Sequence, residues 1–61
     1  MHRYLLSVQR YFSGEETFTV EAADKTTAVE IGESMVARDP HFTGGNYKRG
    51  SVRCVKKLKN N

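Results

Sequence analysis

The sequence predicts an α+β fold, a two-layer ββαβ domain in which one helix covers a three-stranded antiparallel sheet of order 2-1-3. Residues 24–39 form the one segment with a sustained helical period, whereas the other regular segments alternate apolar and polar residues as strands do. The chain of 61 residues has room for a single domain, spanning 1–61. One helix must therefore cover the whole sheet, and the opposite face is left for solvent or a partner.

The first two segments predict a β-hairpin. Residues 3–12 and 17–23 alternate, and Gly14 in the turn between them supplies the positive φ that a tight hairpin needs. Alternation places the apolar side chains of both strands on one face. These are Tyr4, Leu6, Val8, Phe18, Val20 and Ala22.

The helix is predicted to begin at Asp24, a preferred N-cap, and to end before Pro40, because the residue before proline avoids the α region. Its apolar residues share one arc: Ala28, Val29, Ile31, Gly32, Met35 and Val36. Gly32 lies inside this arc. We expect it to let the helix axis approach a bulky sheet residue such as Phe18 or Tyr4.

Residues 40–50 contain three glycines, a proline and an asparagine, so they are expected to be irregular. Residues 51–59 form the third predicted strand, followed by frayed residues 60–61. The apolar members Val52, Cys54 and Leu58 are expected to join the covered face. A right-handed crossover through the helix then places this strand beside the first.

Charge is segregated along the chain. Residues 1–14 carry two basic side chains and no acid, and residues 15–39 carry all seven acids against two basic side chains. Residues 40–61 carry six basic side chains and no acid. The net charge of +3 therefore hides a basic surface suited to an anion such as nucleic acid. The alternative is that the basic tail only keeps the protein soluble.

The open face of the sheet is the first predicted binding surface. Its centre is expected to show Arg3, Leu5, Ser7, Gln9 and Tyr11, flanked by Thr17, Thr19, Glu21, Arg53, Val55 and Lys57. Cations beside an aromatic side chain bind phosphates and stack on bases. Two alternatives stay open. The face is an ordinary solvated sheet surface, or a second copy covers Leu5 and Val55 or pairs with an edge strand.

The loop is the second predicted surface, with Tyr47, Lys48 and Arg49 next to exposed backbone N–H groups. Gly45 and Gly50 have the GxxxxG spacing of a phosphate-binding P-loop. The lysine expected next is a serine, and the loop leads into a strand rather than a helix, so this mechanism is rejected. Phosphate contact by Lys48 and Arg49 remains open beside the alternative of a mobile, solvated loop.

The titratable residues do not predict an enzyme, a metal site or a cofactor. Cys54 is expected to point into the core, and neither His2 nor His41 has a carboxylate partner visible in the sequence. Glu30 and Glu33 are expected on the solvent side of the helix as an acidic back. The lone thiol fits a reducing compartment, and no apolar run near the N-terminus is long enough for a signal or membrane segment, which predicts a cytoplasmic protein.

The stretch TFTVEAADKTTAVEIGESM resembles the strand-to-helix junction of small phage and mobile-element accessory proteins, and some anti-CRISPR proteins have similar ββαβ arrangements. The resemblance implies a protein of the host cytoplasm that blocks host complexes, binds DNA or modulates regulators. It carries no site residue over to this chain.

Two functions are therefore predicted. The first is a non-enzymatic module that contacts nucleic acid, or a nucleic-acid-handling complex, through Arg3, Tyr11, Tyr47, Lys48, Arg49, Arg53 and Lys57. The second is an inhibitor or adaptor that docks on a host protein, with a homodimer through Leu5 and Val55 as one form. Steep salt dependence of binding distinguishes the first from the second.

Overall fold

The computed structural model describes residues 1–58 and confirms the α+β fold. The three-stranded sheet has the order β2-β1-β3, and both neighbouring pairs are antiparallel. The elements in chain order are β1 (His2–Gln9), β2 (Glu15–Ala22), α1 (Lys25–Arg38), α2 (Pro40–Thr43) and β3 (Arg53–Leu58). Lys59, the predicted end of the third strand, and the predicted frayed residues 60–61 lie outside the described residues.

The predicted hairpin forms, with Leu6 opposite Phe18 in the register of β1 and β2, but β1 ends at Gln9, three residues before the predicted end. The Arg10 N–H donates to the Gly14 carbonyl at 3.1 Å, and Gly14 has the expected positive φ, at 74°. Strand β2 begins at Glu15, two residues earlier than the sequence suggested. Glu16 is therefore a strand residue, on the same face as Phe18.

Helix α1 packs on the sheet through the predicted arc, and its Ala28, Gly32 and Val36 are buried. The Asp24 carboxylate caps the helix by accepting from the Thr27 N–H at 2.8 Å. A Cβ at Gly32 would lie 2.7 Å from Leu6 Cδ1, 2.9 Å from Val52 Cγ1 and 3.3 Å from Phe18 Cζ. The close approach expected at this glycine is thus confirmed, with Phe18 among the residues approached.

The segment predicted to be irregular from Pro40 begins instead with the short helix α2. Asp39 has extended backbone and ends α1, and its carboxylate accepts from the His41 N–H at 2.9 Å. Proline suits the first position of a helix, where its missing N–H is not needed. The Asp39–Pro40 pair therefore stops one helix and starts the next, and it turns Phe42 into the core, where 4% of its surface is exposed.

The third strand carries a β-bulge that the alternation pattern does not reveal. Leu5 lies opposite Lys56 while the next residue, Leu6, lies opposite Cys54, so Val55 is the extra residue. An inserted residue exchanges the two faces of the strand beyond it. Lys57, predicted on the open face, lies opposite buried Tyr4 on the helix side. Leu58, predicted in the covered core, lies opposite Arg3 on the open side.

Candidate functional site

A cluster of four polar side chains joins the hairpin to the segment after α1; we call it the Glu16 cluster. Tyr47 Oη donates to Glu16 Oε1 at 2.5 Å, and Arg10 Nη2 donates to the same oxygen at 2.9 Å. His41 Nε2 lies 2.8 Å from Glu16 Oε2. An ionised carboxylate only accepts hydrogen bonds, so Nε2 is the protonated ring nitrogen. One carboxylate therefore holds three side chains.

These hydrogen bonds keep Glu16 ionised at a lower pH than an ordinary glutamate. The Tyr47 hydroxyl, followed by His41 and Arg10, lowers the pKa of Glu16 from its usual value near 4.5 to about 2. The same carboxylate raises the pKa of the Tyr47 phenol and that of the Arg10 guanidinium. Each partner thus stabilises the charged form of the carboxylate.

Sequence reasoning missed this cluster. No carboxylate partner of His41 was visible in the sequence, and the structure gives it Glu16, 25 positions earlier in the chain. The available signal was the period-two alternation of β2. Extended backwards from Phe18, it places Glu16 on the covered face, where a charged residue needs partners. The expected strand began one residue too late to include it.

Aromatic packing fixes the position of Tyr47. Its ring centroid lies 5.1 Å from that of buried Phe42, which lies 5.1 Å from that of Phe18 in the sheet. Arg10 Cζ lies 5.5 Å from the centroid of the Tyr47 ring, a cation–π distance. Tyr47, predicted to stack on bases, is therefore a partly buried residue that connects the core to the Glu16 cluster.

Hydrogen bonds join the loop from Gly44 to Val52 to strand β1 and to helix α1. These bonds argue against the alternative of a mobile loop. The Tyr11 N–H donates to the Asn46 carbonyl at 2.9 Å, and the Lys48 N–H donates to the Gln9 carbonyl at 2.8 Å. These bonds continue the sheet beyond the end of β1. The loop therefore has a defined path.

Two further side chains hold the second half of the loop. Ser51 Oγ accepts from the Gln9 N–H at 3.0 Å and donates to the Lys48 carbonyl at 2.7 Å. Glu33 Oε1 accepts from the Gly50 N–H at 3.1 Å. Glu33 was expected to be a solvated residue of the acidic back, but it is half-buried and anchors the loop.

The anchored loop and the hairpin tip together form an exposed surface that we call the loop-end surface. Its members are Tyr11, Phe12, Lys48 and Arg49. The two aromatic residues are 64% and 86% exposed. Within residues 1–58, neither Lys48 nor Arg49 has a carboxylate partner for its side chain. Phe12 was not among the predicted contacts.

The open face of the sheet differs from the expected basic surface. Arg53 Nη2 lies 3.6 Å from Glu15 Oε2, although the two residues belong to the outer strands β3 and β2. The pair therefore crosses the central strand. Ser7, opposite Arg53 in the register, is 1% exposed, and its hydroxyl has no hydrogen-bond partner within residues 1–58. The register keeps Ser7 on the open face, as predicted, but its side chain is buried instead of solvated.

The predicted contact residues do not form one surface. Tyr11, Lys48 and Arg49 meet at the loop end, but Arg3 lies at the other end of β1, opposite Glu21. Arg3 and Gln9 are six positions apart along β1, which corresponds to about 20 Å. The remaining members, Arg53 and Lys57, are on different faces, because the bulge lies between them. The structure thus divides the predicted set into separate groups.

The structure also locates the residues predicted for a dimer interface and the predicted core cysteine. Leu5 is half-buried, and Val55 is exposed at the bulge on the neighbouring strand. A dimer through these two residues stays a prediction. Cys54 is partly buried and packs against the core cluster. Among residues 1–58, no three His, Cys, Asp or Glu side chains are grouped so that they could hold a metal ion.

No protein-family model, curated protein or solved structure matches this chain. The resemblance to phage accessory proteins therefore stays a prediction. None of the helices within residues 1–58 combines the length and the apolarity needed to cross a membrane.

Proposed function

We propose that this protein is a small, non-enzymatic module that binds single-stranded nucleic acid through the loop-end surface. The observation that carries the proposal is the pairing of Lys48 and Arg49, which have no carboxylate partner within residues 1–58, with two exposed aromatic residues, Tyr11 and Phe12. Cations neutralise phosphates and aromatic rings stack on bases, which is the usual combination in single-strand binding proteins.

The acidic residues nearest this surface are already engaged within the protein. Glu16 binds Arg10, His41 and Tyr47, and Glu33 binds the Gly50 N–H. Their charges hold the hairpin, the helix and the loop together. Lys48 and Arg49 are therefore the charged side chains of the loop that an anionic partner would contact.

The loop is also preorganised for binding. The backbone bonds of Lys48 to Gln9 and of Asn46 to Tyr11 fix the segment that presents the cations. A fixed segment loses less conformational entropy on binding than a mobile one. The hydrogen bonds of the loop therefore favour binding over the alternative of a mobile, solvated segment.

A single strand fits this surface better than a duplex does. Reading the major groove of a duplex requires a projecting helix or a two-stranded ribbon. Helix α1 packs one face on the sheet and shows exposed Glu30 on another, and α2 has four residues. The β1–β2 hairpin is not a free ribbon, because β1 also pairs with β3. Exposed Tyr11 and Phe12 instead offer ring faces that unstacked bases occupy.

The chemistry of the Glu16 cluster supports a structural role rather than a catalytic one. A general base works best when its pKa lies near the working pH. The pKa of Glu16 is about 2, so this carboxylate takes up a proton only in strong acid. We therefore assign the cluster to positioning the loop.

We extend the proposal to the wider role of a phage-type accessory protein in the host cytoplasm. Its support is the small size, the ββαβ order and the single cysteine, which fits a reducing compartment. The alternative partner is a nucleic-acid-handling host protein, which the same basic surface would meet.

The test is the affinity for a fluorescent single-stranded oligonucleotide as a function of salt. The variant Lys48→Gln/Arg49→Gln removes one lysine and one arginine from the loop end. Its matched control, Lys25→Gln/Arg3→Gln, removes the same residue types from the opposite end. We expect the first variant to flatten the log–log salt slope by about 1.4, since each single-strand phosphate contact contributes about 0.7. The control should keep the wild-type slope.

Three outcomes would contradict the proposal. Equal losses in both variants mean that the charge acts without a defined surface. An affinity that does not change with salt means that phosphates are not contacted. Absence of oligonucleotide binding, together with one abundant host protein that co-purifies after nuclease treatment, favours the protein-binding alternative.

A further inference from the structure

A half-open cleft lies beside the loop-end surface, between the end of α1, the short helix α2 and the loop. Its volume is about 320 Å³. The residues that line it are Tyr11, Val36, Phe42, Thr43, Asn46, Tyr47 and Arg49. This size is at the lower end of the range of about 300–1,000 Å³ for small-molecule sites, so the cleft suits a small, flat group.

The floor of the cleft is apolar and fixed. Val36 and Phe42 belong to the buried core, and the Tyr47 ring packs against Phe42 with its hydroxyl on Glu16. The Glu16 cluster therefore holds one aromatic wall in place. A planar apolar ligand finds a surface here that does not need to reorganise.

The rim of the cleft carries polar side chains that the protein does not use. Within residues 1–58, the Thr43 hydroxyl, the Asn46 amide and the Arg49 guanidinium make no side-chain hydrogen bond or ion pair. An amide offers donors and an acceptor, and a guanidinium offers a planar set of donors. Together they match the edge of a base and its phosphate.

The position of Asn46 is set by the backbone. It has a positive φ of 59°, and its carbonyl accepts from the Tyr11 N–H at 2.9 Å. Asparagine tolerates this left-handed conformation better than most residues. The amide is therefore presented from a fixed turn next to Tyr11.

We propose that this cleft binds one unstacked base of the bound strand. The Asn46 amide contacts the edge of the base, the aromatic wall of the cleft stacks on the face of the base, and Arg49 contacts its phosphate. The inference rests on the proposed function and adds a defined base site to it. The half-open shape lets the base enter while its sugar and phosphate remain part of the strand.

The test compares a homopolymeric single-stranded DNA with a strand of equal length that carries abasic sugars. Stacking is worth about 1–3 kcal/mol per base, so the wild type should bind the strand with bases at least about fivefold more tightly. Each of the four homopolymers is used in turn, because the base preference of the amide is part of the readout.

The decisive variant is Asn46→Gly, which removes the amide and keeps the positive φ, since glycine adopts that conformation readily. It should reduce the preference for bases by about fivefold and leave the salt slope unchanged. Thr43→Val, in the cleft, and Thr19→Val, on the exposed part of β2, form a matched pair that removes one hydroxyl each. Only the first should reduce the preference.

The outcomes separate this inference from the proposed function. If the wild type binds both strands equally, binding is to phosphates alone. The base site and the stacking on Tyr11 and Phe12 are then overturned, and only the phosphate contacts of Lys48 and Arg49 stand. If it binds neither strand, both fail. If Asn46→Gly keeps the full preference for bases, the bases stack outside the cleft and the assignment to the cleft is wrong.

Discussion

The loop end and the open face of the sheet have similar groups of charged and aromatic residues, but they use them differently. At the loop end, Glu16 is engaged with side chains of the protein, and neither Lys48 nor Arg49 has a carboxylate partner among residues 1–58. On the open face, Arg53 lies 3.6 Å from Glu15 across the central strand. The number of cations on a surface therefore does not tell how many are available to a partner.

The difference comes from where the acidic residues lie. Glu15 and Glu16 are neighbours in sequence, but strand alternation sends their side chains to opposite faces of the sheet. Glu15 balances an arginine on the open face. Glu16 points towards the loop, where it holds Arg10, His41 and Tyr47 beside the loop-end surface.

The largest effect on stability should come from Glu16→Ala. This substitution removes the acceptor of three side chains, and hydrogen bonds to a charged group are worth about 1.5–3 kcal/mol each in favourable settings. Because the partners Arg10 and His41 are largely exposed, we expect a total loss of about 2–3 kcal/mol of unfolding free energy by urea denaturation. Glu15→Ala is the control and should cost below about 1 kcal/mol. Equal costs would remove the distinction between the two regions.

The same cluster should set the response of stability to acid. The pKa of Glu16 is about 2 in the folded protein, whereas its ordinary value of 4.5 applies to the unfolded chain. The folded state is therefore stabilised above pH 4.5. This contribution is lost as the pH falls from about 4.5 to about 2. Glu16→Gln should lose less stability than the wild type over this window. Asp24, whose pKa is also lowered by its capping bond, is present in both proteins and does not affect the difference.

A smaller effect is expected from Tyr47→Phe, which removes one hydroxyl from the cluster and keeps the ring. The loss should be about 1–2 kcal/mol, because the Glu16 carboxylate loses a short hydrogen bond. Tyr11→Phe removes the same group from the exposed ring of the loop-end surface, and it should leave thermal or urea stability unchanged. A similar cost in both variants would show that the hydroxyl of Tyr47 does not hold the loop.

On the open face, one substitution should increase the unfolding free energy instead of lowering it. Ser7→Ala removes a buried hydroxyl that has no partner within residues 1–58, so it should raise the unfolding free energy by about 1 kcal/mol. Thr17→Ala, on the neighbouring strand and exposed, is the control and should not stabilise. Destabilisation by Ser7→Ala would mean that the hydroxyl is satisfied in solution.

The smallest effect is expected from Arg53→Gln. Its contact with Glu15 is 3.6 Å long between two exposed side chains, and such pairs contribute about 0–1 kcal/mol. Oligonucleotide binding should also change little, since the proposed site lies at the loop end. A loss of affinity as large as that of Lys48→Gln/Arg49→Gln would indicate that the open face, and not the loop end, binds the oligonucleotide.

Local patterns predicted most of the elements of this protein. The alternation around Gly14, the apolar arc with Gly32 and the capping Asp24 each act over a few residues. The strand order followed from chain connectivity, because a right-handed crossover leaves one place for the third strand. These features depend on backbone preferences and on the burial of apolar side chains, and both are visible in the residues themselves.

The candidate site was decided by contacts between distant parts of the chain. Glu16 meets His41 and Tyr47, which lie 25 and 31 positions away, and no local pattern specifies that meeting. The bulge at Val55 exchanges the faces of Lys57 and Leu58, because a single extra residue inverts an alternation that the sequence shows as continuous. The sequence alone determined that the chain has one helix-covered sheet and a basic C-terminal part. Only the tertiary structure decided which cations remain available, because that depends on which acids fold back to meet them.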